Sequence, residues 1–196
     1  MSGTAPNEET RLYFVRHAHS PYIHGREMER GLSAAGRADA ENLRLRLEQE
    51  NIGIFVSSPY RRAIDTLAPL AESAGQPILL FEGLQERLVS GSRDLGAAGF
   101  LEEKARCYAD FDYCPPGGES SRAAAGRAMP VLRELLHNHA GQRIAIGTHG
   151  DILTLMLNGF APEFGFEFWQ RLSMPDVYCA FFDQGIYRGV ERIRCV

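Results

Sequence analysis

Long apolar segments are missing from this sequence of 196 residues. No run approaches the roughly 20 apolar residues that a membrane-spanning helix needs, which argues against a transmembrane protein. The first ten residues, MSGTAPNEET, are polar and lack the apolar centre of a secretory signal. We expect residues 1–10 to be a short flexible lead-in and residues 11–196 to form a single domain.

Cysteine and positive charge are also scarce. The four cysteines, at positions 107, 114, 179 and 195, form no C-x-x-C pair, which argues against a zinc knuckle. Their scatter favours reduced thiols and a cytoplasmic location, with a disulfide between Cys107 and Cys114 left open. The net charge of -4 argues against general nucleic-acid binding and against attachment to an anionic membrane, but it allows a small basic pocket. No P-loop glycine-lysine motif is present.

Short apolar segments alternate with longer helical patterns. This rhythm predicts an α/β fold with three layers, in which a mostly parallel central sheet carries helices on both faces. The last two predicted strands form a hairpin. The predicted strands are Leu12 to Val15, Ile52 to Val56, Ile78 to Phe81, Arg143 to Ile146, Val177 to Phe182 and Ile186 to Ile193.

Local signals predict where several helices begin and end. Ser33 is typical of an N-cap, and Ser58-Pro59 reads as an N-cap followed by proline in the first helical position. Pro130 is expected to interrupt or restart the helix that contains it. The segment from Leu88 to Gly118 fits the strand-helix rhythm poorly, so we interpret it as a small insertion, either a lid or a solvated connection.

Unusual polar residues follow four of the predicted strands. They are Arg16-His17, the run from Ser57 to Arg62, Gln85-Glu86-Arg87, and His149. Ligands of open α/β sheets bind beyond the carboxyl ends of the strands, so these positions are expected to converge. Two arginines, two histidines and the start of a helix suit a tetrahedral dianion, because guanidinium donors match phosphate oxygens and helix N-termini attract anions.

Five blocks together resemble a known family. In the order and approximate spacing found here, they are similar to the histidine phosphatase superfamily, the phosphoglycerate-mutase-like group. The resemblance implies that His17 is the nucleophile that forms a phosphohistidine, that Arg16, Arg62 and His149 hold the phosphoryl oxygens, and that Glu86 is the proton donor. The blocks are Arg16-His17-Ala18, Ser58 to Ala63, Leu84 to Arg87, Gly117 to Ser120 and Thr148-His149-Gly150.

Further residues are expected to bind substrate. Ser20 is a candidate hydroxyl donor to phosphate, and Arg87, Thr148 and Gly150 are candidates from their places in the blocks. Glu82 and Asp94 remain rivals of Glu86. Neither a metal nor another cofactor is needed for these steps. The chain departs from the family at Ala18, where glycine is usual, and at Ile23, where the mutase branch commonly has asparagine.

The expected function is hydrolysis of a small phosphorylated metabolite by a metal-independent phosphomonoesterase. A phosphoglycerate mutase-type transferase is the nearest alternative, but the short insertion and the early end after the last strand favour a hydrolase. Two other classes stay open: a metal-dependent hydrolase that uses His17 and His19, and a phosphate-binding module without turnover. The sequence is compatible with either a monomer or a homodimer.

Overall fold

Six strands form one sheet in the computed structural model, which describes residues 9–23, 25–89 and 95–194. Their order is β3-β2-β4-β1-β5-β6. The first four strands in that order pair in parallel, whereas β5 is antiparallel to both β1 and β6. The expected mostly parallel sheet is therefore confirmed. The strands are β1 (Thr10–Arg16), β2 (Ile54–Ser57), β3 (Ile78–Leu80), β4 (Arg143–Thr148), β5 (Asp176–Asp183) and β6 (Ile186–Ile193).

Helices cover both faces of the sheet, as the sequence predicts. Side chains alternate along β1, so Leu12 and Phe14 pack in the core beneath α4 and α5, whereas Tyr13 and Val15 pack beneath α1 and α2. This burial on two faces produces the three layers. The helices are α1 (Ala34–Leu47), α2 (Arg61–Ser73), α3 (Gly96–Ala109), α4 (Ser121–Asn138), α5 (Gly150–Asn158) and α6 (Phe166–Gln170).

The start of α1 follows its prediction, but the start of α2 does not. Ser33 caps α1 by accepting a hydrogen bond from the amide of Gly36 at 2.9 Å. The prediction that Ser58 caps the second helix is wrong, because its amide donates to the Gly147 carbonyl and continues the sheet pairing. The helix begins at Arg61, whose amide donates to the carbonyl of Met28.

Two prolines lie inside helices. Pro130 was expected to interrupt its helix, and that prediction is wrong: α4 continues through it to Asn138. The proline removes one backbone hydrogen bond, but Val131, Leu132 and Leu135 beyond it are buried in the core, and their burial outweighs that loss. Pro69 lies within α2, which likewise continues to Ser73.

The segment that is predicted to be an insertion contains α3, whose buried side chains are Lys104 and Cys107. Residues 90–94 of this segment, which include the rival acid Asp94, lie outside the described residues, as do residues 1–8 of the predicted lead-in and Cys195. Within the described ranges, none of the helices combines the length and the apolar character needed to cross a bilayer.

Candidate active site

The parallel pairing of β1 with β4 brings the two histidine motifs side by side. Arg16 is in register with Thr148, and the amide of His17 donates to the carbonyl of Thr148 at 3.0 Å. The ring centroids of His17 and His149 are 5.2 Å apart. We refer to Arg16, His17, Arg62, Thr148 and His149 as the strand-end cluster.

His17 has one free ring nitrogen. Its Nδ1 lies 2.8 Å from the carbonyl oxygen of Ala18. Because a carbonyl only accepts, Nδ1 carries the proton and the Nε2 lone pair is available. Burial, followed by the positive charges of Arg62 and Arg16, lowers the pKa of His17 to about 3. The imidazole is therefore neutral at physiological pH, as a nucleophile requires.

The turn that follows His17 is fixed by close packing. The amide of Ala18 donates to the hydroxyl of Thr66, which in turn donates to the carbonyl of Arg62 at 2.7 Å. Helix α1 approaches so closely that a Cβ on Gly36 would lie 2.2 Å from the carbonyl oxygen of His19. Ala18 itself is fully buried, so the methyl group that departs from the family pattern is accommodated by packing.

The two arginines of the cluster are only partly hydrogen-bonded; Arg62 is buried, and Arg16 is half-buried. Arg16 donates through Nη1 to the carbonyls of Leu172 and Ser173, and Arg62 donates through Nη1 to the carbonyl of Glu27 at 2.6 Å. In the described part of the chain, the Nε atoms of both have no partner. Burial lowers the pKa of Arg62 to about 10, so its guanidinium still carries its charge at neutral pH.

His149 is fully buried and presents a hydrogen-bond donor. Its Nε2 lies 2.8 Å from the hydroxyl of Ser58, which also accepts a bond from the Tyr60 amide. The hydroxyl proton of Ser58 has no other acceptor among the described residues, so it goes to Nε2, and Nδ1 keeps the ring proton. Burial, together with Arg62 and His17, holds the pKa of His149 well below its usual value. His149 is thus a neutral donor here, not a third cation.

Unpartnered buried atoms concentrate in this cluster. Within the described ranges, five buried side-chain nitrogen or oxygen atoms have no hydrogen-bond partner, and four of them belong to the cluster; the fifth, Oε1 of Glu27, lies beside Arg62. Buried donors without partners are costly unless a ligand satisfies them. The four cluster atoms are Arg16 Nε, Arg62 Nε, Thr148 Oγ1 and His149 Nδ1.

Glu86 lies at the N-terminus of α5. Its carboxylate oxygens accept from the amides of Arg87, Asp151 and Ile152 at 2.9 to 3.1 Å. These bonds and the helix dipole hold the carboxyl group beside Gly150, the first residue of α5. The rival Glu82 is exposed and pairs instead with Gln85.

Two side chains that are predicted to bind substrate already have hydrogen-bond partners within the protein. The hydroxyl of Ser20 donates to the carbonyl of Gly31 and accepts from Arg30, so its proton is already used. Arg87 is fully buried and uses all three guanidinium nitrogens on Asp151 and Ser121. Both side chains hold other residues in place, and neither presents a free donor group to a ligand.

Sequence reasoning missed two neighbours of the cluster. Tyr60 packs its ring against His149, with centroids 5.0 Å apart, and lies 4.8 Å from the guanidinium of Arg62. Arg30, held by Ser20 and Glu27, adds positive charge that lowers the pKa values of both His17 and His149. Tyr60 was visible inside the Ser58 to Ala63 block, whereas the position of Arg30 depends on how the loop folds.

The surroundings of His17 and His19 do not favour the metal-dependent alternative. His19 is exposed, and its Nδ1 pairs with the hydroxyl of Ser33, whereas His17 is buried and bonded to Ala18. The two imidazoles therefore occupy different surroundings. Within the part of the chain that the structure describes, no group of three or more His, Cys, Asp or Glu residues is arranged to hold a metal ion.

Comparison with known proteins agrees with this geometry. The sequence profile of the histidine phosphatase superfamily (branch 1) matches residues 12–185, and the chain belongs to that family. Phosphatases are present among the relatives and the solved structures, which supports assignment as a phosphoric monoester hydrolase.

Two relatives and one solved structure illustrate the kinds of protein to which this chain is similar. A metal-independent phosphoserine phosphatase of Arabidopsis thaliana is 29% identical over 75% of this chain and 67% of its own length. A 2,3-bisphosphoglycerate-dependent phosphoglycerate mutase of Methylobacterium is 31% identical over 75% and 78%. The structure of a mycobacterial glucosyl-3-phosphoglycerate phosphatase superposes with a TM-score of 0.74 at 22% identity, covering 94% of this chain and 97% of that one, which shows a shared fold.

Proposed function

We propose that this protein is a metal-independent phosphomonoesterase that hydrolyses a small phosphorylated metabolite through a phosphohistidine intermediate. One observation carries the proposal: the free Nε2 of a neutral His17 lies in the same buried cluster as four unpartnered polar atoms. A phosphoryl dianion would satisfy those donors, and its phosphorus would be open to attack by the imidazole.

In the first step, Nε2 of His17 forms a bond to phosphorus while the bond from phosphorus to the ester oxygen breaks. The side chains of Arg16 and Arg62 and the Nδ1 proton of His149 stabilise the charge on the phosphoryl oxygens. The phosphorylated ring becomes cationic, and the Ala18 carbonyl, which accepts from Nδ1 at 2.8 Å, stabilises that charge.

We propose that Glu86 donates a proton in the first step and accepts one in the second. The leaving alkoxide takes a proton from the carboxyl group, since an unprotonated alkoxide leaves poorly. In the second step, water attacks phosphorus, the bond to Nε2 breaks, and the Glu86 carboxylate takes the proton from that water. The three backbone amides that hold this carboxyl keep it in one position through both steps.

Mutase-type transfer is the second candidate, because a mutase is among the relatives. The insertion between Glu86 and Glu119 is short for an enzyme that must shield a phosphohistidine from water, which favours hydrolysis. A strict requirement for 2,3-bisphosphoglycerate as primer would favour the mutase. A complete lack of turnover would favour a phosphate-binding module.

The substrate and the location are proposed only as classes. The names of the relatives suggest phosphoserine, glucosyl-3-phosphoglycerate and 3-phosphoglycerate as first compounds to test. Cys107, Cys114 and Cys179 are free thiols in the described part of the chain, and we propose a reducing, cytoplasmic setting for the enzyme.

The test is a panel of these substrates and aryl phosphates, assayed in the presence of a chelator. Wild type should turn over, and His17→Ala should lose all measurable activity. His19→Ala is the matched control, because that imidazole is two residues away but exposed. Rapid quenching with ³²P-labelled substrate should trap label on wild type and none on His17→Ala. Label retained by His17→Ala would refute the nucleophile.

A further inference from the structure

The indole of Trp169, a side chain that the mechanism above does not use, lies at the N-terminus of α5. A Cβ built on Gly150 would meet both Nε1 of Trp169 and Nε of Arg16 at 3.2 Å. These two nitrogens therefore flank the same point, next to the first residue of the helix. Gly150 is the residue type that leaves this point open.

Both nitrogens are hydrogen-bond donors, and neither has an acceptor among the described residues. The Nε of Arg16 is buried and unpartnered, and the described part of the chain gives Nε1 of Trp169 no hydrogen bond. An indole nitrogen can only donate, and when it is close to the interior it usually finds an acceptor. Trp169 is half-buried and its Nε1 is not among the fully buried atoms without a partner, so this donor is accessible to a ligand. An arginine and an indole N–H beside a helix N-terminus together favour an anionic oxygen as the acceptor.

The indole ring already has two neighbours, a cation and an aromatic ring. The ammonium of Lys104 lies 4.2 Å from the ring centroid, and the ring of Phe166 stacks on it at 15° with a centroid distance of 5.8 Å. Lys104 is itself fixed by Asp151, in the first turn of α5, at 2.6 Å. The ring is therefore not a stacking platform for a substrate, and its available group is the N–H.

We infer that Trp169 is a further substrate-binding residue, whose Nε1 proton donates to a phosphoryl oxygen shared with Arg16. This inference rests on the proposed function, since it assigns an additional donor to the same phosphoryl group. It also gives α3 a role, because Lys104 contacts the indole ring and pairs with Asp151 in the first turn of α5.

The test removes the N–H donor and keeps an aromatic side chain at the position. Trp169→Phe should weaken competitive inhibition by inorganic phosphate about tenfold and lower kcat/KM for p-nitrophenyl phosphate by a similar factor, as expected for loss of one hydrogen bond to a charged group. Phe164→Leu is the control: it disturbs the same short segment through its contact with Phe168, 4.9 Å away, and should leave the phosphate inhibition constant near wild type.

A second readout uses the fact that the chain has one tryptophan. Phosphate should change the emission of wild type with half-saturation at its inhibition constant. An inhibition constant for Trp169→Phe within twofold of wild type, in a variant that hydrolyses and binds phosphate, would overturn this inference alone. An effect on ester kinetics without one on phosphate would place the contact at the leaving group and would also overturn it. Wild type that neither binds phosphate nor hydrolyses esters would overturn both this inference and the proposed function.

Discussion

The rings of His17 and His149 lie edge to face, with centroids 5.2 Å apart, and both are held neutral. Burial is the main cause, and Arg62 adds to it at both sites. Two adjacent imidazoles with lowered pKa values make the folded state a poorer proton acceptor than the unfolded chain, with consequences for stability at acidic pH.

Stability should fall as pH is lowered. Below about pH 6.5 the unfolded chain protonates both histidines, whereas His17 in the folded state stays neutral down to its pKa of about 3. At pH 5 this linkage costs about 2 kcal/mol for His17 relative to neutral pH, and the lowered pKa of His149 acts in the same direction. In His17→Asn, whose amide can still donate to the Ala18 carbonyl, urea unfolding should show a smaller difference between pH 7.5 and pH 5. An equal difference in both proteins would contradict the buried neutral state of His17.

Glu86→Gln should separate substrates by their leaving groups. Without a proton to give, the variant should slow alkyl phosphates by about 10² to 10⁴-fold, but activated aryl phosphates much less, because an aryl oxide leaves without help. Steady-state rates on a series of leaving groups provide the measurement. Glu82→Gln, which changes an exposed carboxyl four residues earlier, should behave as wild type. Equal losses for both ester classes would show that Glu86 does not supply the proton.

Removing the Asp151 carboxylate should strongly lower the free energy of unfolding. Its Oδ2 accepts from Arg87 and Lys104, and its Oδ1 accepts from Tyr108, all in the buried region beneath the insertion. Asp151→Ala leaves two buried cations without their partner, and the free energy of unfolding should drop by about 3–5 kcal/mol.

The exposed pair of Asp112 and Arg122 provides the comparison for that variant. Asp112→Ala should change the free energy of unfolding far less than Asp151→Ala does, because solvent screens the pair. Chemical denaturation of both variants measures the free energy of unfolding. Similar decreases in the two variants would mean that the buried cluster contributes no more to stability than a surface ion pair.

Two glycine substitutions should act in opposite directions. Gly36→Ala places a methyl group 2.2 Å from the carbonyl of His19, so either α1 or the turn after His17 must move, with loss of both stability and activity. Gly126→Ala meets no atom within 4 Å on the exposed side of α4 and should stabilise by about 0.5–1 kcal/mol. Melting temperatures and kcat/KM test both, and a harmless Gly36→Ala would show that the turn tolerates displacement.

The sequence predicted what depends on local pattern. Apolar runs such as Leu12 to Val15 locate strands, and strand ends locate His17 and His149, because parallel strands end at one edge of a sheet. The start of α2 was misplaced because Ser58 satisfies sequence rules for a cap, while its side chain is used by His149 from a strand that is distant in sequence.

Contacts that depend on several distant segments could not be predicted from the sequence. Ser20 and Arg87 have the right chemistry for phosphate, but their donors are taken by Gly31 and by Asp151. Trp169 lies in an aromatic segment typical of core packing, and nothing in the neighbouring sequence predicts that its nitrogen lies near Arg16. Such partnerships are decided by tertiary geometry, since any of several acceptors could satisfy each donor.

The ion pair of Lys104 with Asp151 joins α3 of the predicted insertion to the first turn of α5. A chimera that exchanges residues 88–118 for the insertion of another protein would leave this aspartate with one cation fewer, unless the donor segment delivers its own. Remodelling the enzyme for a new substrate therefore requires the insertion and position 151 to be changed as one unit.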